Sequence, residues 1–300
     1  MEKWAACPRS YLFEYILEVR SIEEPEERFT IDPLDRGSLI HEILEKFIHG
    51  AIDSAHPFST WTQADRQRLH QIAASCFERY QDEGRTGRDV LWQRERPRIL
   101  ADLDRVLDRD SQRLGNGLRP VSVEFKFDLP NVPIPGGSVL DLRGTIDRVD
   151  QYADGSIEII DYKSGSDKPY RSLSEWNPHG RGQQLQLYIY ALAVRDDFPD
   201  APSVKAFYWF TQSNAFRGYE VTDPVELDVS SVIQTIIGGI TAGVFPAHPL
   251  EKDTHGGWVQ CWPCTPDGLS VAPVRREWDR KRSDPAMGIY TALIDQEAVD

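Results

Sequence analysis

Long hydrophobic runs are absent from these 300 residues. No apolar stretch nears the roughly 20 residues that a membrane-spanning helix needs, which excludes a helical membrane protein. The N-terminus, Met1-Glu2-Lys3-Trp4-Ala5-Ala6-Cys7-Pro8, has no signal-peptide core, so the cytoplasm is the expected compartment. No G-x-x-x-x-G-K-[ST] phosphate loop occurs, which argues against a nucleotide-driven motor of that type in the chain. Cysteine is scarce. There are four, two of them in Cys261-Trp262-Pro263-Cys264, a spacing that suits metal or cluster binding in a reducing compartment better than a disulfide framework. Positive charge is also in deficit: 34 Lys and Arg against 48 Asp and Glu leave a net charge of −14, which argues against a generally cationic nucleic-acid binder.

Aromatic residues are plentiful, and 8 Trp, 11 Tyr and 12 Phe can furnish a substantial core. The most informative stretch is Ile157-Glu158-Ile159-Ile160-Asp161-Tyr162-Lys163-Ser164-Gly165. It reads as a buried strand that ends at Ser-Gly. Side chains alternate along a strand, so Asp161 and Lys163 share a face, roughly 7 Å apart. A carboxylate and an ammonium so placed can hold a metal ion and act on a water beside it; an ordinary edge-strand ion pair has the same pattern. A second strand, Asp141 to Asp150, lies upstream across Asp154-Gly155, a hairpin signal. The two strands are expected to be antiparallel, with Asp147 approaching Asp161. Two carboxylates brought together share a cation or a proton, and Lys163 nearby favours a hard divalent metal.

Gly144-Thr145-Ile146-Asp147-Arg148-Val149-Asp150, then Asp161-Tyr162-Lys163-Ser164-Gly165, then Leu185-Gln186-Leu187-Tyr188-Ile189-Tyr190-Ala191-Leu192-Ala193, resemble in order and spacing the motifs of the PD-(D/E)XK nuclease superfamily. More narrowly, the chain is similar to the RecB/AddB-type nuclease domain of bacterial DNA-end-processing helicase–nucleases, from about Trp4 to Tyr290. The resemblance implies an α/β fold with a restriction-endonuclease-like core, a central mixed β-sheet flanked by helices, in one domain over 1–300. A helical insertion is expected at about 60–115, a catalytic core at about 120–225 and a cysteine-containing segment at 255–290.

The implied activity is that of a metal-dependent DNA nuclease, expected to be an exonuclease, in end processing, recombination and repair. DNA ends would be the substrate and a separate helicase or ATPase subunit the partner. Such a site is carboxylate-rich, so net acidity is compatible with it, and a partner could supply DNA affinity. The resemblance assigns Mg²⁺ or Mn²⁺ to His41, Asp147, Asp161 and the Tyr162 carbonyl, with Lys163 acting on the attacking water. His41 enters through Gly37-Ser38-Leu39-Ile40-His41-Glu42-Ile43-Leu44, which resembles a G-x-x-x-H-x-x-L segment. Gln186 and Tyr190 match a Q-x-x-x-Y segment that orients the nucleic acid or the lysine. Cys7, Cys261 and Cys264 match three of four [4Fe–4S] ligands, while Ser270 and Ala272 stand where a fourth would fall. A degenerate site, an altered cluster and a zinc site completed by His255 stay open. Two other readings remain: a Cas4-like nuclease of CRISPR adaptation, and a non-catalytic scaffold that binds DNA or a helicase.

The rest of the chain reads mainly as framework. Helices are expected over 8–18, 36–49, 62–82, 91–114 and 180–197, and Gln183, Gln186 and Tyr190 would share a face of the last. The polar loop 164–179 would cover the site or touch DNA. Val121 to Phe127 alternates as a strand, Pro130 to Gly137 reads as a loop, and residues 203–212 and 216–222 form a hairpin. Glu124 is a further candidate ligand or supporting group. Arg98, Arg105, Arg109 and Arg113, interleaved with aspartates, read as a salt-bridged solvated face rather than a phosphate-contacting one. Cys76 reads as a small buried residue. Residues 275–282 carry five basic residues, two acids and Trp278, the best local stretch for nucleic-acid contact.

Overall fold

The computed structural model describes residues 1–19, 29–248 and 272–295. Their helices are α1 (Glu2–Ala6), α2 (Pro8–Tyr11), α3 (Pro33–Asp53), α4 (Gln63–Asp82), α5 (Asp89–Gly115), α6 (Gln186–Asp197), α7 (Asp223–Thr241), α8 (Ala272–Lys281) and α9 (Gly288–Ile294). The strands are β1 (Arg119–Ile134), β2 (Ser138–Gln151), β3 (Ile157–Lys163), β4 (Val204–Phe210) and β5 (Ala215–Glu220), and they form one mixed sheet in sequence order. Every neighbouring pair is antiparallel except β3 and β4, which run parallel across the α6 crossover. No helix among the described residues is long and apolar enough to cross a membrane.

Alternation along β3 divides the interior. Ile157 and Ile159 join a core with α1, α6, α7 and α9, while Ile160 and Tyr162 join a second core with α3, α4 and α5. Local chemistry starts the helices where they start. Asp32 caps α3 by accepting the Leu34 N–H at 2.8 Å, with Pro33 at the first position. Thr62 and Asp65 form a reciprocal capping box at α4.

The sheet is forked. β2 pairs with β3 only from Gln151↔Ile157 to Arg148↔Ile160, but with β1 it continues to Ser138↔Ile134. Beyond Arg148, β2 leaves β3 and runs on with β1 as a two-stranded arm. Asp147 is the first residue past the split.

Three expectations are corrected. The loop expected over 130–137 shrinks to a turn at 135–137: β1 runs to Ile134, with Asn131 at φ +58 and its N–H donating to Asp141 Oδ1 at 2.9 Å. That irregularity lets the ladder continue past Pro130. The helix expected from 180 begins at Gln186, because Gly180, Arg181 and Gly182 all have positive φ. Gln183 is therefore exposed in the preceding turn and off the helix. The aspartates and arginines of α5 do not form a solvated face alone. Asp102, Asp110 and Arg113 turn inward, while Arg98 stays exposed.

Those inward charges form a network beneath the sheet. Arg148, 1% exposed, grips both Asp110 oxygens at 2.9 and 3.0 Å and donates to Asp150 Oδ1 at 2.6 Å. Arg113 bridges Asp110, Asp150 and Glu158 at 2.7, 2.5 and 2.8 Å. Trp61 Nε1 donates to Asp110 at 2.8 Å. Removing one partner strands buried charge of the other sign, which typically costs about 3–5 kcal/mol. Arg148→Ala is expected to lower unfolding free energy by about that amount in urea titration. Arg109→Ala, on the exposed side of α5, should cost far less.

Candidate active site

Tyr162 holds the site together through its backbone. Its N–H donates to Asp147 Oδ2 at 2.7 Å, so the carboxylate just past the fork takes the place of the missing ladder partner. Its carbonyl oxygen lies 2.6 Å from His41 Nε2, and His41 Nδ1 lies 3.3 Å from Asp147 Oδ1. On its other side, the Tyr162 hydroxyl meets Arg148 Nη1 at 3.3 Å, and burial pushes its pKa up to about 12 against the lowering effect of Arg148. The flanking residues Asp161 and Lys163 project together, with Nζ 2.6 Å from Asp161 Oδ2.

Lys163 Nζ also donates to Gln186 Oε1 at 3.1 Å, and Gln186 Nε2 donates to the Tyr190 hydroxyl at 2.6 Å. The chain His41, Asp147, Tyr162, Asp161, Lys163, Gln186, Tyr190 is thus continuous in space across α3, β2, β3 and α6. Gly37 lets α3 come this close, since a Cβ there would stand 3.2 Å from Ser164 Oγ.

Electrostatics bear on what could bind. Both nitrogens of His41 face acceptors, an arrangement that suits the imidazolium. Burial works against that charge, but Asp147 and then Asp161 outweigh it and raise the His41 pKa. Among the described residues no three His, Cys, Asp or Glu side chains stand as a ready metal cage. The donor set still fits a hard cation: two carboxylates, a carbonyl and one imidazole converge. Asp161 Oδ2 supports the fit. It is buried and close to Lys163, yet no donor reaches it at a hydrogen-bonding angle.

One lesser candidate and one unforeseen group also stand near the site. Glu124 adopts φ +47 in β1 and stands in the field of Asp147, Glu45 and His41; burial, then Asp147 and Glu45, raise its pKa. Strand alternation gave no sign of that positive φ, because the register with β2 runs through Glu124 unshifted. Glu2 was not anticipated at all. Its Oε1 accepts the N–H groups of Leu185 and Gln186 at 2.5 and 3.1 Å and so anchors the start of α6. No local signal could have found this, because the partners are 183 and 184 residues apart. Cys7 is buried with Ala247 and Val274, Cys76 is buried in α4, and Cys261, Cys264 and His255 lie outside the described residues. Trp278 of the basic tail is buried, packed on His248 and Tyr290.

A D-x-K strand end at the fork of a mixed sheet, faced by a helical histidine, defines a carboxylate–lysine centre suited to a divalent cation and a phosphate. Residues 1–265 match the model of the PD-(D/E)XK nuclease superfamily, and the chain belongs to that superfamily. Similar proteins include an ATP-dependent helicase/deoxyribonuclease subunit of Lacticaseibacillus casei, 28% identical over 68% of this chain and 18% of that protein. The protein of the same name in Lachnoclostridium phytofermentans is 30% identical over 79% of this chain and 19% of that one. That of Clostridioides difficile is 29% identical over 67% and 17%. The chain spans less than a fifth of the length of these relatives.

The site is in tension with stability. Burial raises the Asp161 pKa to about 6 from 3.8, opposed by Lys163 and reinforced by Asp147. The folded protein therefore holds this proton more tightly than the unfolded chain. That preference stabilises the fold at low pH and is lost as pH rises from about 4 to about 6. In EDTA, Asp161→Asn is expected to be more stable than the parent above pH 6, by on the order of 2 kcal/mol. The difference should vanish near pH 4, as read by urea titration across pH.

Proposed function

We propose that the chain is a metal-dependent deoxyribonuclease domain that hydrolyses phosphodiester bonds at DNA ends. The observation that carries this is the join between Asp161-Tyr162-Lys163, Asp147 and His41 through the Tyr162 peptide. We read it as acting in the cytoplasm with a helicase subunit, in end processing, recombination and repair. That reading is supported by the names of the relatives, which pair helicase with deoxyribonuclease.

In this mechanism His41, Asp147, Asp161 and the Tyr162 carbonyl would hold Mg²⁺ or Mn²⁺. The ion would supply Lewis acidity, lowering the pKa of a nearby water and offsetting phosphate charge. To serve as a ligand His41 would present a neutral ring, since a protonated ring has no lone pair to give. Lys163 keeps its ammonium beside the reacting phosphate, where it stabilises charge that grows on the phosphoryl oxygens. Gln186 fixes the lysine by accepting its N–H, and Tyr190 is held by Gln186 in turn. Only Cys7, Cys261 and Cys264 of the four cysteines match cluster-ligand positions, one short of the four thiolates that a [4Fe–4S] cluster takes, and this mechanism routes no step through a cluster.

The test is degradation of end-labelled single-stranded and duplex DNA with Mg²⁺, Mn²⁺ or EDTA. The parent should cleave only with metal. Asp161→Ala and Lys163→Ala should each lose about 10²-fold or more in rate while remaining folded. A folded parent that binds DNA without cleaving it would contradict the reading and favour a scaffold.

A further inference from the structure

A cavity of about 580 Å³ opens where the start of α3, the first half of α5 and the segment after Lys163 meet. Clefts that take small ligands are commonly about 300–1,000 Å³. Ser164 and Gly165, which follow Lys163 directly, form one wall. Arg36 forms another and lies five residues before His41 on α3, roughly 7.5 Å of helical rise. The cavity therefore adjoins the active site.

Its charges are uneven. Arg36 is engaged by Glu95 at 3.0 Å and Asp102 at 2.7 Å, and it also donates to the Ser164 carbonyl at 3.3 Å. Arg98 is exposed, with Glu95 at 3.5 Å. Arg94 is exposed and has no ion pair among the described residues. Two arginines thus face the opening in a chain whose net charge is −14.

Trp92 stands at the wall with its indole packed into the core, 1% exposed. The volume exceeds what a lone phosphate fills, and Ile31 and Leu91 add apolar wall beside the arginines.

We propose that this cavity is a subsite for one nucleotide of the substrate strand, adjacent to the phosphate being cleaved. Arg94 and Arg98 receive the phosphate of that nucleotide, and its apolar part lies against Ile31 and Leu91. The inference rests on the nuclease reading above and adds how the strand is held.

The experiment compares the full chain with an Arg94→Ser, Arg98→Ser double variant on a single-stranded oligothymidylate. With catalytic residues intact, KM should rise roughly tenfold with kcat retained, the pattern of lost uniform binding. In an Asp161→Ala background, anisotropy should show weaker binding, with the slope of log affinity against log salt reduced by about one. The Trp92 indole resonance, assigned with Trp92→Phe, should shift as the oligonucleotide is added. A double variant with unchanged KM and salt slope, beside a parent that cleaves normally, overturns the subsite and leaves the nuclease reading standing. A parent that cleaves no nucleic acid overturns both.

Discussion

One peptide unit carries the arrangement. The N–H and C=O of Tyr162 stand at a point where β2 has already left β3, so no ladder partner is there to pair them. Buried backbone groups must be paired, and Asp147 and His41 do it. The fork in the sheet therefore creates the demand that draws a carboxylate and an imidazole to the end of β3. Asp161 and Lys163 flank the same peptide, so they enter the same space without any further device.

The two faces of β3 divide the labour. Beneath the strand, Arg148, Arg113, Asp110, Asp150 and Glu158 neutralise one another in a buried network that also meets the Tyr162 hydroxyl. Above it, burial raises the pKa of Asp161, and Asp147 and Asp161 raise that of His41 against its burial. The lower face is satisfied and rigid, while the upper face keeps an acceptor without an aligned donor.

Much of this was legible. Strand alternation alone predicts that Asp161 and Lys163 share a face, and Asp154-Gly155 predicts the antiparallel pairing that brings Asp147 near. What escaped depended on partners distant in sequence. Asp110 and Asp102 of α5 read as solvated because their buried arginine partners come from elsewhere: Arg148 from β2, 38 residues on from Asp110, and Arg36 from α3, 66 residues before Asp102. Glu2 reaches the start of α6 across more than half the chain. Positive φ at 180–182 delays that helix to Gln186, and helical periodicity does not report backbone sign. Pro130 argued for a loop, yet an irregularity in the ladder at that point accommodates it.

The most direct measurement of the central claim is anomalous diffraction from crystals soaked in Mn²⁺. The account predicts a single strong peak bonded to Asp147, Asp161, the Tyr162 carbonyl and His41, lost in crystals of Asp161→Ala. A peak elsewhere, or none with the His41–Tyr162 contact unchanged, would contradict it.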